Sequence, residues 1–200
     1  MSNSTKSALL VVDIQNDFCS GGNLEVPNSL TIIPKINRIK EHFKKKKMGI
    51  VIYSKDWHPP DHVSFEKSGG KFPPHCIQYQ PGAELHNGLD VDERDFIIHK
   101  GTNPKYESSS AFYDSKIIGF KTNLSTILED NNVNKLYVCG IAAEYCVYST
   151  LLDAVKDRYQ RYKCFLIEDA TVGLDEVKIK ERYEHLKKLG VKIIDSSYFN

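Results

Sequence analysis

No apolar stretch in this 200-residue sequence reaches the roughly 20 residues that a bilayer-crossing helix needs. Net charge is also nearly absent. Lys and Arg number 27 against 26 Asp and Glu, so no overall field recruits nucleic acid or an anionic membrane. Paired cysteine spacing is missing: the 5 cysteines (Cys19, Cys76, Cys139, Cys146, Cys164) are odd in number and scattered. That argues against a disulfide framework and for a reducing, intracellular setting. Internal repeats and low-complexity linkers are lacking too. The opening segment MSNSTKSALLVVDIQ carries only a short apolar run that flows into an acid, unlike a secretory signal. The expectation is a cytoplasmic protein, with the nucleus also open, and no nucleic-acid or membrane partner. Self-association is left open. One basic run, Lys44-Lys45-Lys46-Lys47, closes a predicted helix, where cations complement the dipole and stay solvated.

What is present is an ordinary globular composition, 40% hydrophobic and 26% charged, at a length that suits one domain over residues 1–200. Short apolar runs alternate with stretches of helical period. Ala8-Leu9-Leu10-Val11-Val12 is continuous, as a parallel strand covered on both faces must be. Ile50–Tyr53, Phe96–Ile98, Leu136–Cys139, Cys164–Ile167 and Val191–Ile194 read as further strands. Ile32, Ile36, Ile39 and Phe43 recur at spacings of three or four, giving one apolar stripe. Leu124, Ile127 and Leu128 do the same, as do Val147, Leu151, Leu152 and Val155. A last helix, roughly Glu176 to Leu189, stops at Gly190. Six strands alternating with helices predict a three-layer α/β/α sandwich with a six-stranded parallel sheet and right-handed crossovers. Two connections, Asp56 to Asp95 and Gly101 to about Lys121, exceed ordinary loop length and point to function.

In open α/β sheets, ligands lie beyond the carboxyl ends of the strands. Asp13, Asp56 and Lys100 each close one of the first three strands, and Cys146 follows the fourth. All four therefore emerge on one edge. Cys146 sits in Gly140-Ile141-Ala142-Ala143-Glu144-Tyr145-Cys146, a strand-to-helix turn where the dipole and free amides favour a thiolate. A buried structural cysteine is the competing reading, and it is assigned to Cys139 and Cys164. Asp13 ends an apolar strand, where a carboxylate either caps the next turn or partners the thiol. Lys100 either is solvated or holds Asp13 charged and lowers the thiol pKa. His99, facing the other way by strand alternation, is structural. Asp56 and His58, two apart in extended backbone, can reach one ion, and His75 completes an Asp/His/His set. Asp61 and His62 are rival ligands, His62 also suiting loop packing. His42, His86 and His185 fall on surfaces.

Taken together, five segments resemble the nicotinamidase branch of the isochorismatase-like cysteine hydrolases. They are Leu10–Phe18 (LVVDIQNDF), Asp56-Trp57-His58-Pro59, Gly69–Cys76 (GGKFPPHC), Lys100-Gly101-Thr102, and Gly140–Val147 (GIAAEYCV). The resemblance implies strand order 3-2-1-4-5-6 and an Asp13/Lys100/Cys146 catalytic triad. It implies one divalent ion, most often zinc, with iron or manganese as alternatives, on Asp56, His58 and His75. It further implies a cis peptide before Ala142, and an oxyanion hole from the amides of Ala142 and Cys146. Phe18 and Phe72 would sandwich a nicotinamide ring, with Phe112 a weaker candidate and His62 a conceivable fourth ligand. The implied activity is hydrolysis of nicotinamide to nicotinate and ammonia in NAD salvage. A relative acting on another small amide, a ureido compound or isochorismate is the alternative.

Overall fold

Continuous apolar runs form the middle of the sheet, because a parallel strand covered on both faces has no side to leave polar. In the computed structural model, which describes residues 6–157 and 161–199, β1 (Lys6–Val12) is buried from Ser7 onward. It pairs in parallel with β2 (Gly49–Asp56) on one side and β6 (Val133–Gly140) on the other. Beyond β2 lies β3 (Phe96–Lys100). Beyond β6 lie β7 (Lys163–Thr171) and β8 (Lys192–Ile194). The order is β3-β2-β1-β6-β7-β8, the expected arrangement once a separate hairpin is set aside. That hairpin, β4 (Tyr113–Ser115) and β5 (Phe120–Lys121), interrupts the second long connection. Three and two residues are too few for alternation to show in a sequence.

Alternation along β1 divides the core between two faces. Leu9 and Val11 join Ile32, Ile36, Ile39 and Phe43 of α1 (Ser29–Lys45). Ala8, Leu10 and Val12 join side chains of α2 (Leu124–Asp130), α3 (Tyr148–Val155) and α4 (Glu176–Lys188) on the opposite face. α4 starts where Asp175 accepts from the amides of Val177 and Lys178, a side-chain cap. The lysine run ends α1 as expected, with Lys44 paired to Asp92 and Lys45 to Glu41. The first long connection carries the short helical turns Glu66–Ser68 and Pro81–Ala83 and isolated bridges such as His58 to Ile77. Among the described residues no helix is long and apolar enough to cross a membrane. Residues 1–5, on which the targeting reading partly rested, lie outside the described residues.

Candidate active site

The chain reverses after β1 at Asp13, whose φ of +52° is left-handed, a conformation that short polar Asp tolerates better than most residues. Its carboxylate is fully buried. It accepts from Ser54 Oγ at 2.6 Å and lies 2.9 Å from Lys100 Nζ. Lys100 Nζ also contacts Asp56 Oδ1 and stands 3.5 Å from Cys146 Sγ. The structure thus brings together the carboxylate, ammonium and thiol that lie far apart along the chain. Ser54 was missed in sequence. Its signal was available: a hydroxyl ending an apolar run, Ile50–Tyr53, and a buried hydroxyl needs a partner.

Burial alone would drive the Lys100 proton off, but Asp13 and Asp56 outweigh it and hold the ammonium charged. Burial pushes Asp13 above the usual carboxylate range, with Lys100 opposing. Burial likewise raises the Cys146 thiol well above its ordinary value, and Lys100 only partly offsets this. The expected thiolate at a helix start is therefore corrected. Cys146 is half-buried within a single wide turn, Ala143–Val147, ahead of α3, and its sulfur lies within 4.8 Å of carboxylate oxygens of Asp13 and Asp56. The resting group is a thiol beside a carboxylate able to take its proton.

Asp56, His58 and His75 are all buried, and one ligand atom from each lies within 4.8 Å of the others. The tautomers follow from the partners. His58 Nδ1 donates to the Gly101 carbonyl at 2.9 Å and His75 Nδ1 to the Pro73 carbonyl at 2.8 Å, leaving each Nε2 as a lone-pair donor. His58 Nε2 is buried with no hydrogen-bond partner, 3.7 Å from Asp56 Oδ2. An orphaned imidazole nitrogen facing a carboxylate and a second imidazole fits a divalent metal. Position 101 must be glycine here, since a Cβ would lie 2.5 Å from the His58 ring and φ is +65°. A second cluster, Asp13, Asp56 and Cys146, is equally tight, but Lys100 already contacts all three and supplies the cation itself.

His62 stacks on His58 with centroids 4.0 Å apart, yet both its nitrogens are engaged. Nδ1 meets Ser64 Oγ at 2.7 Å and Nε2 meets the Tyr106 carbonyl at 3.1 Å. In this arrangement it packs against the His58 ring. His99 stacks on Trp57 at 4.6 Å, away from the site, as alternation required. Cys139 and Cys164 are buried in strands.

A cavity of about 440 Å³, the size of a small-ligand site, opens over Cys146, Asp56 and His75. Phe18 and Phe72 line it, their rings 5.5 and 5.9 Å from that of His75. Ala142, after a cis Ile141–Ala142 peptide, lines it beside Cys146. Leu24, Val26, Tyr145 and Leu174 complete an apolar wall that the sequence did not reveal. Phe112 is not part of it. That ring packs into the core with its centroid 6.2 Å from that of Tyr162.

The class follows from a parallel sheet in this order with such a cluster at its carboxyl edge: the isochorismatase domain matches residues 7–197, and the chain belongs to that family. Among its relatives, Escherichia coli nicotinamidase is 37% identical, over 84% of this chain and 84% of its own. A Pyrococcus horikoshii pyrazinamidase solved in complex with zinc is 40% identical with a TM-score of 0.86, covering 95% of this chain and 99% of its own. An L. infantum protein solved with nicotinate is 34% identical with a TM-score of 0.89, covering 96% and 94%.

Proposed function

We propose that this chain hydrolyses nicotinamide to nicotinate and ammonia, with Cys146 as nucleophile, Asp13 as general base and acid, and Lys100 as their electrostatic partner. One observation carries the reading. Lys100 Nζ stands 2.9 Å from Asp13 and 3.5 Å from Cys146 beside a cavity lined by Phe18 and Phe72. The E. coli nicotinamidase and the nicotinate-bound L. infantum relative support the substrate. The raised carboxyl of Asp13 takes the thiol proton as sulfur bonds to the carboxamide carbon. The amides of Ala142 and Cys146 receive the oxyanion. Asp13 returns the proton to nitrogen, the C–N bond breaks, and ammonia leaves a thioester on Cys146. Asp13 then deprotonates water for attack on that thioester and reprotonates the sulfur as nicotinate departs. Asp56, His58 and His75 would hold a divalent ion, zinc first among candidates and iron or manganese behind it. When bound, it supplies Lewis acidity beside the reacting group. Such an enzyme returns nicotinamide to NAD synthesis, and its unpaired cysteines fit the cytoplasm.

The test couples elemental analysis of the purified protein to ammonia release from nicotinamide. Cys146→Ala should lose turnover almost entirely while keeping its circular dichroism, and His58→Ala should lose both bound metal and activity. Substantial amidase activity in Cys146→Ala would refute the nucleophile. Faster turnover of another amide, a ureido compound or isochorismate would move the substrate.

A further inference from the structure

We propose that the turn at residues 15–18 is a positioning element that preorganises the divalent-cation site, Gln15 fixing Asp56 and Asp17 fixing the segment that carries His75. The proposal rests on reading Asp56, His58 and His75 as metal ligands.

Asp56 is the last residue of β2, paired in register with Lys100 of β3, and its carboxylate contacts the Lys100 ammonium. Gln15, fully buried, holds both of its peptide groups. Gln15 Nε2 donates to the Asp56 carbonyl at 2.7 Å, and Gln15 Oε1 accepts from the Asp56 amide at 2.7 Å. The second Nε2 hydrogen goes to the Ala83 carbonyl at 2.8 Å, so every polar atom of the amide is used. Two residues on, the buried Asp17 accepts from the Cys76 amide at 2.7 Å through Oδ2. Cys76 follows His75 and has a φ of +46°, a conformation that a non-glycine residue keeps only when its surroundings impose it. Gly82 lies so close to the Asp17 carboxylate that a Cβ there would overlap it. The neighbouring Phe18 ring packs 5.5 Å from the His75 imidazole. One turn after β1 thus grips two ligand-bearing segments that the sheet alone does not join. Partners of this kind, which orient a ligand without touching the metal, are commonly worth about 10–100-fold in affinity.

The experiment measures zinc affinity of the metal-stripped protein by competition with a chromophoric chelator, for wild type, Asp17→Ala, Asp17→Asn and Gln15→Met. Alkylation of Cys146 by iodoacetamide is followed in the same samples. Asp17→Ala and Gln15→Met should weaken zinc by about tenfold or more, while alkylation stays within about twofold, because other contacts hold the thiol. Asp17→Asn keeps an oxygen for the Cys76 amide and should recover most of the loss. Folded variants binding zinc as tightly as wild type would overturn the proposal. A wild type that binds no zinc would instead overturn the metal-site reading beneath it. Should the variants not fold, hydrogen exchange on the wild-type protein decides. Zinc loading should slow residues 15–18 together with 74–78, and an unchanged 15–18 segment would count against the role.

Discussion

Lys100 is a fully buried ammonium whose neighbours are two carboxylates and a thiol, and burial of that kind is tolerated only because the charges answer one another. Replacing it with methionine fills much of the volume but leaves Asp13 and Asp56 facing each other without a cation. Breaking a buried pair on one side costs about 3–5 kcal/mol. Lys100→Met should therefore lose stability on that scale in urea denaturation, together with activity. A loss below about 1 kcal/mol would mean that the carboxylates shed their charge at little cost. The identity of these groups was legible in sequence because each polar residue interrupts or ends an apolar run. Their protonation was not. A helix start argues for a thiolate, but the raised thiol follows from three-dimensional burial that no local pattern records.

At the scale of elements, the apolar stripe on α1 is the clearest link between pattern and packing. Ile36 is fully buried against β-strand side chains. Truncation to alanine removes three carbons from a filled core, so Ile36→Ala should cost about 2–5 kcal/mol in chemical denaturation, with turnover per folded molecule unchanged. A cost near zero would mean that α1 is loosely seated. The central strands β1, β2, β6 and β7 were readable because burial on both faces forces runs rich in Val, Ile and Leu. The β4–β5 hairpin was not, being too short for period to register and carrying exposed Ile117 and Phe120. The wide turn at Ala143–Val147 was also hidden, since Val147, its last residue, keeps a helical spacing to Leu151 of α3. The clamp residues Gln15 and Asp17 lay in plain view within a recognised segment, yet only their distant partners disclose a task.

For the whole molecule, acid should unfold the metal-stripped protein earlier than its balanced charge suggests. Burial pulls the His58 imidazole from 6.5 down to about 2, and lowers His62 and His99 as well. Between those values the unfolded chain binds more protons than the folded one. This contribution is complete above about pH 6.5 and is lost as pH falls toward 2. Asp13, raised by burial, contributes with the opposite sign, against three lowered imidazoles. Urea midpoints should decline steadily from pH 7 to pH 4, and a flat profile would contradict buried neutral histidines. The sheet order holds a further consequence. β3 is an outermost strand, flanked on one side only, yet it carries Lys100 into the centre of the chemistry. Rims of sheets open at lower free energy than their middles. Warming should thus silence the enzyme while most of its architecture still stands, so inactivation precedes melting.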